Sequence, residues 1–191
     1  MINPWDVRPR QEQGDSNPDD IFVKVGYALT LWEGLEAESA ELFDVLVAGY
    51  PTNRAAYSAY ICVVSSSART QLLESAFRKA VEENDALYCD LERVINSIAK
   101  TGARRNEIAH GRVYNLGTHG YFLGPNNTMK QKWTDSGAAK FQYTAADIQH
   151  YIDWFIRLCA ACEKLTGQLR ERAASKTNST RSRARERDKH T

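Results

Sequence analysis

The amino-acid sequence predicts a mainly α-helical fold, an antiparallel helical bundle with a small β-hairpin or three-stranded insertion before the last helix. Three observations predict it. Apolar residues recur at alternating spacings of three and four through much of residues 19–174, the period of one helix face. The connections between these stretches are short and rich in Gly, Pro, Asn or Ser, which suits antiparallel neighbours. After Arg112 the period changes, and apolar and aromatic residues gather around turn signals.

The elements follow in order. Residues 1–18 are rich in Pro, Gly, Asp, Asn and Gln and predict a disordered arm, from which Trp5 can pack back onto the body. Asp19 or Asp20 offers an N-cap for a first helix. Its stripe is Ile21, Val25, Ala28, Trp32, Leu35, Ser39, Leu42 and Leu46, and Gly49-Tyr50-Pro51 ends it. A second helix is expected over residues 54–64, and a third over 68–83, capped by one of Ser65, Ser66 and Ser67. A fourth starts at Asn84-Asp85 and carries Leu87, Leu91, Val94, Ile95 and Ile98, with Gly102 placed to stop it. Residues 103–112 form a separate short helical stretch. The insertion occupies residues 113–144: Tyr121–Leu123 pairs with Met129–Trp133 across a Gly124–Asn127 turn, and Lys140–Tyr143 offers a third strand. Thr144 and Asp147 resemble a capping box with Asp in the glutamate position, opening a last helix that buries Ile148, Ile152, Phe155, Cys159, Cys162 and Leu169. Residues 175–191 turn to Ser, Thr, Arg and Lys and predict a basic disordered tail.

Composition narrows the function. At 191 residues the chain suits one domain, residues 19–174, with irregular ends. No run approaches the ~20 apolar residues of a membrane span, and the first residues lack the basic-then-apolar pattern of a signal peptide, so the expected location is the cytoplasm. Cys62, Cys89, Cys159 and Cys162 lie in helix-patterned apolar segments, as reduced core thiols do. The net charge of +1 conceals a tail at +5 from Arg170 onward and a body at −4. An anionic ligand must therefore be held by local basic clusters. The tail reads as a solubilising end or as a non-specific phosphate-attracting tether; Lys176–Thr191 has no aromatic residue for base stacking.

The densest chemistry lies in Arg105-Asn106-Glu107-Ile108-Ala109-His110. A guanidinium is permanently charged and grips phosphate through a planar fork, and an imidazole exchanges a proton near neutral pH. Asn106 supplies a donor and an acceptor that can orient either partner. Arg104 and Arg112 flank the string as cations suited to an RNA phosphate backbone. The string resembles the Arg-polar-three residues-His motif of the HEPN family, compact helical domains that include many bacterial ribonuclease toxins and defence proteins. The motif precedes a final helix in a helical frame over residues 20–170, which agrees with the resemblance; the hairpin departs from the family's minimal pattern. The resemblance implies metal-independent endoribonuclease activity without a cofactor. His110 would act as base, acid or phosphate-orienting donor, Arg105 would stabilise the phosphorane, and Asn106 would hold the imidazole or the RNA. It also implies a toxin or phage-defence setting, with a cognate antitoxin protein as partner in the first case.

Helix phase adds a constraint. Arg105 and His110 are five positions apart, ~140° around an ideal helix, whereas Asn106 and His110 share a face. A single motif in a straight helix is thus a poor catalytic site. Either the helix distorts just after Gly102 or two motifs meet across a two-fold axis; HEPN ribonucleases are similar to the second case, which implies a homodimer.

Other readings stand beside this one. A non-catalytic HEPN-like dimer would bind nucleic acid or a partner protein through the same surface. In a purely structural bundle, Arg105 pairs with Glu107 or with a carboxylate of another helix, His110 meets the helix dipole, and Gly111 caps the end. Cys159-Ala160-Ala161-Cys162 is a CxxC string in mid-helix without a second cysteine pair, which small residues on a packed face explain. The first helix's glutamates lack the Glu-x-x-His partners of a di-iron bundle and read as a solvated flank.

Overall fold

A computed structural model describes residues 3–49, 54–126 and 139–188, with side chains through residue 175. The chain is mainly α. Its elements are α1 (Pro18–Ala48), α2 (Ala55–Ile61), α3 (Ser66–Ala80), α4 (Tyr88–His110), β1 (Gly111–Asn115), a 3-10 turn (Gly117–His119), β2 (Tyr121–Pro125) and α5 (Ala145–Asp188). A two-stranded antiparallel hairpin thus precedes the last helix, as the sequence predicts. No helix among the described residues is long and apolar enough to cross a membrane.

Contacts divide the chain into two compact units, Met1–Leu35 with Ser97–Leu158, and Glu36–Asn96 with Cys159–Thr191. In the first, α1 buries Ile21, Ala28, Trp32 and Leu35, the α4 end buries Ile108, and α5 buries Ile148, Tyr151, Ile152 and Phe155. The Phe155 ring meets Trp32 edge-on, with centroids 6.0 Å apart. In the second unit, Leu42, Leu73, Phe77, Leu91, Ile95 and Cys162 are buried. There Glu41 is shared by Arg54 and Arg170, and Arg69 joins Glu36 to the carbonyls of Ile61 and Val63.

Local capping signals are realised. Ser65 Oγ accepts from the Ala68 amide at 3.3 Å. The Thr144–Asp147 box is reciprocal: Asp147 Oδ2 accepts from the Thr144 amide at 3.0 Å, and Thr144 Oγ1 from the Asp147 amide at 3.2 Å. At α1 the cap falls on Asn17, two residues before Asp19, and its Oδ1 accepts from the Asp19 amide.

Three expectations change. The fourth helix does not stop at Gly102; α4 runs unbroken to His110 and absorbs the segment expected to stand apart. Thr101 stays in the helix, its Oγ1 donating to Ser97 O at 2.5 Å, and the residues after Gly102 are good helix formers. The hairpin pairs β2 with Gly111–Asn115, in the register Val113↔Leu123; Met129–Trp133 lies outside the described residues. Of the third strand, Tyr143 alone bridges Leu123, through bonds of 2.8 and 2.9 Å. Within residues 3–17 Trp5 is buried, Asp6, Arg8 and Asp15 hydrogen-bond to the rest of the first unit, and most other side chains are exposed; α5 is helix to Asp188.

Candidate active site at the end of helix α4

The hexapeptide forms the last two turns of α4, and β1 begins at the next residue. Gly111 is required there by close approach. A Cβ would lie 2.7 Å from Leu123 Cγ and 2.8 Å from the Glu107 carbonyl. Gly111 is not a left-handed cap, because the positive-φ glycines are Gly49, Gly117 and Gly120. The tight helix-to-strand junction holds His110 at the very end of α4.

The two adjacent arginines have opposite fates. Arg104 is only 9 % exposed. Its Nη1 lies 3.0 Å from Glu107 Oε2 and 3.2 Å from the Tyr143 hydroxyl, which itself donates to Glu107 Oε2 at 2.7 Å. Burial, and then the Glu107 carboxylate, push the Tyr143 hydroxyl's pKa above the ordinary tyrosine range, so it stays a proton donor. Tyr151 packs edge-on against Tyr143 at 5.5 Å. Arg104 is therefore nearly buried and paired within the frame that holds α4 in place, whereas Arg112, the other expected phosphate contact, is exposed.

Arg105 is half-buried, with 28 % of its side chain exposed. Its guanidinium carbon stands 5.8 Å from the centre of the Trp32 ring. Its Nη1 donates to Asn106 Oδ1 at 3.2 Å, and its Nη2 is 3.9 Å from the largely exposed Glu33. The long Glu33 contact is worth little in solvent. Its Nε is buried and has no hydrogen-bond partner among the described residues. The carboxylate near Arg105 thus comes from α1, while Glu107 belongs to Arg104.

Asn106 and His110 are both exposed and lie one helical turn apart. Arg112 is also exposed, on β1, with its guanidinium 5.9 Å from the Tyr114 ring centre. One chain therefore offers an accessible amide, imidazole and guanidinium along the α4–β1 junction. Arg105 is oriented by Trp32 and Asn106. Sequence reasoning missed the supporting residues Glu107, Tyr143 and Tyr151. The signal for Glu107 was present: it stands three residues after Arg104, and Ile108 continues the α4 apolar stripe beyond Gly102.

The CxxC string behaves as packing. Burial raises the thiol pKa of Cys159 to about 11 and of Cys162 to about 12, leaving little thiolate near neutrality. Cys62 and Cys89 are exposed. A thiol reagent at neutral pH should therefore modify Cys62 and Cys89 first, and Cys159 and Cys162 only after denaturant is added. Mass-spectrometric mapping checks this, and early modification of Cys162 would contradict the packed assignment.

No family model, curated protein or solved structure matches the chain.

Proposed function

We propose that the protein is a metal-independent endoribonuclease of the HEPN type, acting as a homodimer in which two α4–β1 junctions share one RNA cleft. The observation that carries this reading is the exposure of Asn106 and His110 on one face of the last turn of α4, beside an arginine that Trp32 and Asn106 orient. In this mechanism His110 takes the proton of a ribose 2′-OH as that oxygen attacks the adjacent phosphodiester. The P–O5′ bond breaks, the leaving 5′-oxygen takes a proton back from the imidazolium or from water, and a 2′,3′-cyclic phosphate remains. Arg105 matches the charge that builds on the phosphorane, and Asn106 orients the imidazole or the RNA. Arg112 remains as the second surface cation for the RNA backbone, without Arg104.

The unbroken α4 favours the dimer. A straight helix keeps Arg105 and His110 about 140° apart, so distortion after Gly102 does not bring them together. A second copy supplies the missing partner across a two-fold axis. A cytoplasmic toxin or phage-defence effector, with an antitoxin protein as partner, is the setting this reading suits.

The test is incubation of purified protein with a defined single-stranded RNA in the presence of EDTA. The expected products end in 2′,3′-cyclic phosphate, at unchanged rate with or without the chelator. Cleavage that stops with EDTA contradicts the mechanism. RNA binding without any cleavage favours the second reading, a non-catalytic dimer that uses the same surface.

A further inference from the structure

Residues 3–15 carry no helix, yet they are tied to the first unit at several points. Trp5 is 6 % exposed; its ring stacks on Phe155 at 6.1 Å and meets Trp154 edge-on at 6.0 Å. The Tyr151 hydroxyl donates to the Asp6 carbonyl at 2.8 Å and accepts from the Arg8 amide at 3.2 Å. Arg8 Nε reaches Asp147 Oδ1 at 3.3 Å, at the capping box of α5. Asp15 Oδ2 accepts from the Ala145 amide at 2.7 Å, and the Asp15 backbone pairs with Tyr121. Gly14 fits this path because a Cβ there would lie 2.4 Å from the Tyr121 carbonyl.

We propose that this arm is a strap whose seating sets the order of the motif-bearing end of α4. The connection is short. The arm holds the Tyr151 hydroxyl, the Tyr151 ring packs on Tyr143, and Tyr143 bonds both Glu107 and Arg104 on the inner side of the hexapeptide. Trp5 is the arm's large apolar anchor, and the remaining ties are hydrogen bonds and an ion pair with a half-exposed Arg8. A non-helical segment held by one apolar anchor and a few polar ties opens at lower free energy than the helices beneath it. When it lifts, Tyr151 loses both backbone partners. Water then reaches the Tyr143–Glu107–Arg104 cluster, and the last turns of α4 loosen. A binding event that captures the arm would thereby regulate the α4 end. The consequence for RNA cleavage rests on the proposed function, whereas the loosening does not.

Hydrogen exchange on the full chain tests this. Trp5→Ala should speed amide exchange in residues 104–110 by about tenfold or more while leaving α3 unchanged, because the strap opens locally. Unchanged exchange in 104–110 with a released arm would overturn the proposal, and so would equal acceleration of every helix. If Trp5→Ala does not fold, Tyr151→Phe keeps the ring and removes the tie. It should speed exchange in 104–110 by roughly threefold, and no change there would likewise overturn the proposal. Altered exchange in a protein that never cleaves RNA would sink the nuclease reading alone.

Discussion

Replacing His110 with alanine is expected to lower RNA cleavage by about 10²–10⁴-fold, the usual contribution of a positioned acid–base group. The melting temperature should stay within about 2 °C, because an exposed side chain at a helix end contributes little packing. The imidazole is exposed at the last residue of α4, so its removal leaves no cavity. Arg105→Ala should also reduce turnover, and more in kcat than in KM, because the charge it matches develops in the transition state. Steady-state rates on a short RNA at saturation, with Tm measured in parallel, check both. An unaffected rate in His110→Ala would remove the histidine from the mechanism. A large fall in Tm would instead assign it to the fold.

Glu107→Ala should cost ~3 kcal/mol of stability, because it leaves the Arg104 guanidinium buried without its carboxylate. For a chain of this size that lowers Tm by about 6–12 °C. The partner change Arg104→Met should recover most of the loss in the double variant, since a flexible apolar side chain fits where an unpaired charge does not. Urea denaturation of the four-member cycle gives the coupling directly. A Glu107→Ala variant within about 0.5 kcal/mol of wild type, the range of ordinary surface changes, would contradict the inward assignment of Arg104. So would a double variant that melts lower than either single one.

The legible parts of the fold were the local ones. The α1 stripe through Ile21, Ala28, Trp32, Leu35 and Leu42 is buried as its spacing predicts, because helix phase is a property of neighbours in sequence. The Ser65 cap and the Thr144–Asp147 box are equally local. Gly102 misled because its intrinsic cost of ~1 kcal/mol in a helix is small beside the packing of Ile98 and Ile108 on either side. Ending the helix there also hid which of Arg104 and Arg105 turns inward, since that depends on continuing the α4 stripe to Ile108. The strand opposite β2 carried its own turn signal, Gly117 and Gly120 in the five-residue connection, but the Gly124–Asn127 signal competed with it. The arm depends on Tyr151 and Phe155, some 140 residues away. At the site, the exposed positions of Asn106 and His110 were readable from their four-residue spacing. The Tyr143 support was not, because nothing in a single sequence ties residue 143 to residue 107.

The most direct measurement of the shared-cleft mechanism mixes two inactive variants. Arg105→Ala and His110→Ala protomers, unfolded together and refolded at equal concentration, form mixed dimers in about half the population. If Arg105 of one copy works with His110 of the other, each mixed dimer holds one complete site. The mixture should then regain about a quarter of wild-type cleavage, while each variant refolded alone stays inactive. A mixture as inactive as its components, beside an active wild type, would contradict a cleft built from two copies.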